Sequence, residues 1–153
     1  MRARLEKLTA GRRLWVLLGA AAVLWFSFTA GMTVLRYRLN YSPAYDFGIF
    51  SQMYYYLDKC LQPLTTVERD GLLSHFAVHL SPIFYALLPF YKLVPRPETL
   101  MVLQALLVIA GLIPLCLLAG ALKCTSPQIL CFGMVYCAQP ALTGDCLYAI
   151  HEN

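Results

Sequence analysis

Residues 14–34 carry no charged side chain. An uncharged run of this length is long enough to cross the hydrocarbon of a bilayer. Inside lipid its backbone N–H and C=O groups can be satisfied only by a helix or a closed barrel. A second such run occupies residues 99–122, and a shorter one residues 127–143. The chain is 59% hydrophobic and only 13% charged, whereas a soluble domain carries about a quarter charged residues. These runs predict an all-α integral membrane fold of about three transmembrane helices, with further juxtamembrane helices on the outer side. Five basic residues (Arg2, Arg4, Lys7, Arg12, Arg13) precede the first run, where a cytoplasmic flank places them. They account for much of the formal charge of +4, which therefore does not signal nucleic acid. The first run is too long for the apolar region of a signal peptide. It reads as an uncleaved helix, giving a multi-pass cell-membrane protein with a cytoplasmic N-terminus.

Residues 36–70 form the first outer loop and hold six of the ten tyrosines. Tyrosine suits an interface because its ring is apolar and its tip polar. Phe47, Phe50, Tyr54 and Leu57 recur at helical spacing and predict an apolar face on a helix ending near Cys60. That helix is expected to lie along the membrane surface. Pro63 ends the region, and Glu68 and Asp70 mark a polar turn. Residues 71–91 contain His75, His79 and the Ser81-Pro82 pair, which suits a helix start. Their apolar core is short for a span, so the preferred reading is a juxtamembrane or re-entrant helix. The alternative, a full crossing from His75 to Leu93, would reverse every later segment. Gln104 is a lone polar residue in the second long run and is expected to hydrogen-bond to a neighbouring helix. Gly111, Pro114 and Gly120 permit bends or close contacts, and Pro140 ends or kinks the last apolar helix.

Asp46 is the leading candidate for chemistry. An outer carboxylate can take a proton from an acceptor hydroxyl or hold a divalent cation such as Mg or Mn. As a helix N-cap it would do neither. His75 and His79 stand four apart and can share a helix face, which suits phosphate or headgroup contact. The glutamate of the His-Glu-x-x-His metalloprotease pattern is missing. Asp145, His151 and Glu152 follow the last apolar run, on the same outer face as Asp46 if residues 82–94 do not cross. The six cysteines have no metal-ligand spacing. Cys116, Cys131 and Cys137 read as small hydrophobes, and Cys60 and Cys146 share a side on which a disulfide can form. Phosphate-binding loops, dinucleotide fingerprints and serine-nucleophile elbows are absent.

The stretch Tyr45-Asp46-Phe47-Gly48-Ile49-Phe50-Ser51-Gln52 resembles the signature of the DUF2079 family of predicted bacterial and archaeal membrane proteins. Ser74-His75-Phe76-Ala77-Val78-His79-Leu80-Ser81-Pro82-Ile83 resembles its second motif, continued by Leu88-Pro89-Phe90-Tyr91. Leu103-Gln104-Ala105-Leu106 with Ile113-Pro114-Leu115 is similar to its next helix, and His151-Glu152-Asn153 to its closing motif. Ser51 stands where the family often has an acidic residue. The family is itself similar to polytopic glycosyltransferases of the GT-C fold, which move a sugar from a polyprenyl-phosphate donor on the outer membrane face. The resemblance implies catalytic roles for Asp46, with Glu152 or Asp145 assisting, and a divalent cation at Asp46. It implies substrate contacts for His75, His79, His151 and Gln52. It also implies that residues 1–153 form one membrane domain, the N-terminal part of a longer protein. The competing reading is a non-catalytic membrane component, or an inactive truncated copy, that packs against partner subunits. Transport is disfavoured because no charged residue lies in the middle of a span.

Overall fold

The computed structural model describes residues 2–41 and 44–148. Its first helix, α1 (Arg2–Arg38), contains the apolar stretch Gly11–Arg38 of 28 residues. At 1.5 Å per residue this is about 42 Å, more than the ~30 Å of hydrocarbon. It stops at Asn40, whose φ is 57°, a left-handed conformation that asparagine tolerates. The Tyr41 N–H then reaches back to the Arg36 carbonyl at 2.9 Å and closes the helix end.

The second long apolar run is also helical, but in two pieces. These are α4 (Pro97–Ala110) and α5 (Leu112–Ala121), together a 25-residue candidate span. Pro114 has no N–H to offer the Ala110 carbonyl, and its ring crowds that oxygen, so the helix breaks there. At the break the Gly111 N–H bonds to the Val108 carbonyl at 3.0 Å, and the Tyr136 hydroxyl donates to the same carbonyl. That hydroxyl occupies the space a Cβ at position 111 would need. The third run is also divided, by Pro140, into α6 (Ser126–Ala138) and α7 (Pro140–Tyr148). The 13 residues of α6 span about 20 Å. Among the described residues two helices, not three, have the length and composition of a span.

Helix α1 packs against α4, α6 and α7, and α5 packs against α6. Trp25, Ala30, Ala105, Ile109, Leu112 and Cys146 form the shared core. Two polar links tie α7 to α1. The Trp25 indole N–H donates to Thr143 Oγ1 at 3.2 Å, and the Thr33 hydroxyl lies 2.8 Å from the Thr29 carbonyl and 3.0 Å from that of Cys146. The interhelical bond expected of Gln104 is not seen at its Oε1, which is buried and accepts nothing from the described residues. Trp25, Thr33 and Tyr136 donate to other acceptors, and the Thr29 hydroxyl is likewise buried without a partner among the described residues.

At the C-terminal end of α1, the Arg38 Nε–H donates to Glu98 Oε1 at 3.3 Å. The first turn of α4 thus lies beside the last turn of α1, and this exposed pair bridges them. The intervening chain therefore leaves and returns at the same end of the bundle. Helix α3 (Ile83–Leu93) has 11 residues, about 16 Å, and does not cross. The structure forms no helix long enough for a full crossing from His75 to Leu93 among the described residues, and a short helix here accords with the juxtamembrane reading.

Helix α2 (Ala44–Cys60) buries Phe47, Phe50, Met53, Tyr54 and Leu57 against Phe84, Leu88 and Tyr91 of α3 and Leu100 and Met101 of α4. The apolar face expected to meet the membrane surface is covered by protein instead. After α2, a feature absent from the all-α expectation appears. It is an antiparallel ribbon of β1 (Leu64–Thr65) and β2 (Leu73–Ser74), in register Leu64 to Ser74 and Thr65 to Leu73. Gly71, at φ 146°, occupies backbone space that side chains avoid and lets the connecting loop turn back. Cys60 is a free, exposed thiol at the end of α2, so the pairing with Cys146 is not formed.

Two outcomes follow from this packing. Gly111→Ala drives a methyl into the Tyr136 hydroxyl and should destabilise the bundle by about 1–3 kcal/mol. Gly133→Ala meets only the movable end of Leu18 and should cost less; thermal unfolding in detergent ranks the two. Burial raises the Tyr54 phenol well above its usual range, and its hydroxyl donates to the Phe84 carbonyl at 3.3 Å. Its stabilising contribution is therefore complete below about pH 10 and is lost as pH rises further. Tyr54→Phe should flatten that alkaline loss, read from denaturant unfolding at pH values on either side of about 10.

Candidate functional site

At the Arg38 end of the bundle, the start of α2, the ribbon loop and the segment after β2 enclose a cleft of about 750 Å³. Its walls carry Asp46, Glu68, Arg69, Asp70, His75 and His79, backed by Tyr45, Ile49, Phe50 and Val78. Three of the residues singled out in the sequence (Asp46, His75, His79) thus share one cavity.

Each is positioned by a local device. Asp46 is half-buried in the first turn of α2. It does not stand at the cap, because the helix begins at Ala44. A carboxylate in the first turn still faces the positive end of the helix dipole. His75 follows β2 directly, and its N–H extends the ribbon by donating to the Pro63 carbonyl at 2.7 Å. It opens a single 3₁₀ turn, His75–Ala77. The His79 N–H then bonds back to the His75 carbonyl at 2.9 Å. That one turn brings the two imidazoles to a centroid distance of 5.9 Å. The expected shared face is present, on a turn rather than a full helix. His75 is 2% exposed, with Phe50 edge-on to its ring at 5.4 Å, while His79 is exposed.

Glu68 was readable only as part of a polar turn. In the structure its Oε2 lies 2.9 Å from His75 Nδ1, and its side chain is almost as buried as the imidazole. A carboxylate on Nδ1 fixes the ring's orientation and favours the tautomer with the proton on that nitrogen. Arg69 and Asp70 were likewise not chosen as site residues. The available signal was the β-branched stretch Thr65-Thr66-Val67 followed by charged residues and Gly71, which marks a ribbon with a turn.

Gln52 does not line this cleft. Its Oε1 accepts the Thr66 N–H at 2.8 Å and lies 3.1 Å from the Thr65 hydroxyl, while its Nε2 donates to Thr66 Oγ1 at 2.9 Å. Its amide clamps β1 to α2 and so holds the loop that carries Glu68. The α7 backbone around Asp145 reaches the cleft end of α1, since the next carbonyl accepts the Thr33 hydroxyl. His151 and Glu152 lie outside the described residues. Among the described residues no three histidine, cysteine, aspartate or glutamate side chains converge to hold a metal ion. A divalent cation at Asp46 would have to draw further donors from elsewhere.

The sequence profile of a family described as predicted membrane protein (DUF2079) matches residues 36–153. The chain belongs to the DUF2079 family. No curated protein and no solved structure matches it. The matched region of this DUF2079 protein begins at the last turns of α1 and includes every wall of the cleft.

Removing the clamp should loosen the loop without touching the bundle. Gln52→Ala leaves the Thr66 N–H and the Thr65 hydroxyl without this acceptor, a cost of about 1–3 kcal/mol. Trypsin cleavage after Arg69 should accelerate, while helix content measured by circular dichroism stays at the wild-type value.

Proposed function

We propose that this DUF2079 protein is part of a membrane glycosyltransferase taking its sugar from a polyprenyl-phosphate donor. The supporting observation is the convergence of Asp46, His75 and His79 on one cleft at the end of the spanning helices. A lipid-linked donor keeps its tail in the bilayer and presents its head at that level. In this reading the end bearing Arg12, Arg13 and Lys123 faces the cytoplasm, by the positive-inside rule. The cleft then opens to the outer face of a multi-pass protein.

The chemistry uses the chain's own side chains. The Asp46 carboxylate takes the proton of the acceptor hydroxyl as its oxygen attacks the anomeric carbon. The bond from that carbon to the phosphate oxygen breaks, and polyprenyl phosphate leaves with the electron pair. Arg69, His75 and His79 lie where they can meet the phosphate charge, with Glu68 orienting His75. Asp145, His151 and Glu152 are assigned as assisting groups in this reading. Gln52 acts here through the loop it holds. A divalent cation, if bound at Asp46, would neutralise phosphate charge.

Membranes containing the protein should transfer label from a radiolabelled polyprenyl-phosphate hexose to a non-lipid acceptor. Asp46→Asn should slow that transfer by about two orders of magnitude or more, with helix content unchanged. Transfer at the wild-type rate by the variant would leave Asp46 a structural residue. No transfer by the wild-type protein would favour a non-catalytic membrane component.

A further inference from the structure

A second cavity, separate from the cleft, lies where the end of α1 meets the corner between α3 and α4. It encloses about 430 Å³, and its walls include Arg38, Phe90, Leu93, Val94, Arg96 and Leu103. The composition is divided. Leu93 is 79% exposed, with Phe90 and Val94 also open, which is costly in water but not at a lipid boundary. Arg38 and Arg96 stand beside this apolar floor. Arg38 uses its Nε–H on Glu98, which leaves four further N–H donors on the guanidinium. Arg96 forms no ion pair among the described residues and is exposed. Among the described residues Glu98 is the one carboxylate in the wall, so their charges leave the groove net positive.

We infer that this groove holds an anionic phospholipid of the adjoining leaflet. Its phosphate sits between Arg38 and Arg96, and an acyl chain lies along Phe90, Leu93 and Leu103. Three observations support this occupant. The guanidinium fork matches phosphate geometry. The cavity stands at the Arg38 end of both candidate spans, Gly11–Arg38 and Pro97–Ala121, where headgroups begin. The Arg38–Glu98 pair, which bridges the ends of α1 and α4, forms part of its wall, so an occupant would lie against the helix entry. The site is independent of the sugar-transfer reading and uses none of the cleft residues.

The test compares retention of spin-labelled phosphatidylglycerol and phosphatidylcholine by the purified protein reconstituted in phosphatidylcholine bilayers. The wild-type protein should prefer the anionic lipid. Arg96→Gln should reduce that preference by about fivefold, the value of one cation near an anionic headgroup. Lys92→Gln, one turn earlier on the exposed face of α3 and outside the groove wall, should change it by less than about twofold. Inorganic phosphate at millimolar concentration should not displace the lipid. No preference in the wild type would overturn the inference, as would equal losses in the two variants. Displacement by inorganic phosphate would also overturn it, by showing a free-anion site in place of a lipid site.

Discussion

The aromatic stripe of α2 sets the geometry on which the cleft depends. Phe47 meets Tyr37 of α1 edge-on at 5.1 Å, so α2 is fixed to the end of the first span. Phe50 touches both Phe84, at 5.6 Å, and His75, at 5.4 Å. Tyr54 contacts Phe84 at 5.9 Å and Tyr91 at 5.1 Å. Aromatic pairs of this kind contribute about 0.5–1.5 kcal/mol each beyond the area they bury. Their directional preference also fixes how the helices sit. Asp46 is one turn from Phe50, and His75 is seated on Phe50, so the same ring that packs the core spaces the two chemical groups across the cleft.

The second layer of control is polar and lies outside the stripe. Gln52 is on the same helix but joins the ribbon rather than the core. Its amide supplies both an acceptor and a donor to Thr65 and Thr66. The ribbon in turn delivers Glu68 from one strand end and His75 from the other. A two-stranded ribbon this short is not stable by itself. Here it is held by the clamp and by Phe50, so the Glu68–His75 pair is a consequence of α2 docking. The bundle obeys a different constraint. Within it the helix breaks fall at Gly111 and at Gln139-Pro140, and the Gly111 break is sealed by the Tyr136 hydroxyl, as buried backbone requires.

Much of this was legible in the chain. The two long uncharged runs are the two long apolar helices, and the Phe47–Phe50–Tyr54–Leu57 period is the buried face of α2. What the period could not say is what covers that face. An apolar stripe next to a bilayer has the same pattern whether lipid or protein meets it, and α3 supplies the cover from about 30 residues downstream. The i, i+4 spacing of His75 and His79 correctly joined them, because one 3₁₀ turn brings the two rings together as a helix face would. Glu68 was missed because its contact with His75 depends on a ribbon of two-residue strands, too short to leave a period-two pattern. Gln52 sits inside the aspartate motif, but its neighbours in space are threonines of the ribbon rather than the cleft.

The charges of the cleft constrain what can enter it. Among the described residues Asp46, Glu68 and Asp70 face one guanidinium, Arg69, so carboxylates outnumber guanidinium groups by two. A phosphate would be repelled by that excess. It is accommodated only where the hydrogen-bond donors concentrate, beside Arg69 and the imidazoles. The carboxylate of Asp46 is thereby left to the neutral, hydroxyl-rich part of a ligand, to which a carboxylate bonds well. The polyol head and phosphate of the donor in the sugar-transfer proposal match this division. The same reasoning separates the two cavities of the protein. The groove beside Arg38 and Arg96 has a positive wall and an apolar floor, whereas carboxylates outnumber cations in the described lining of the cleft behind Asp46.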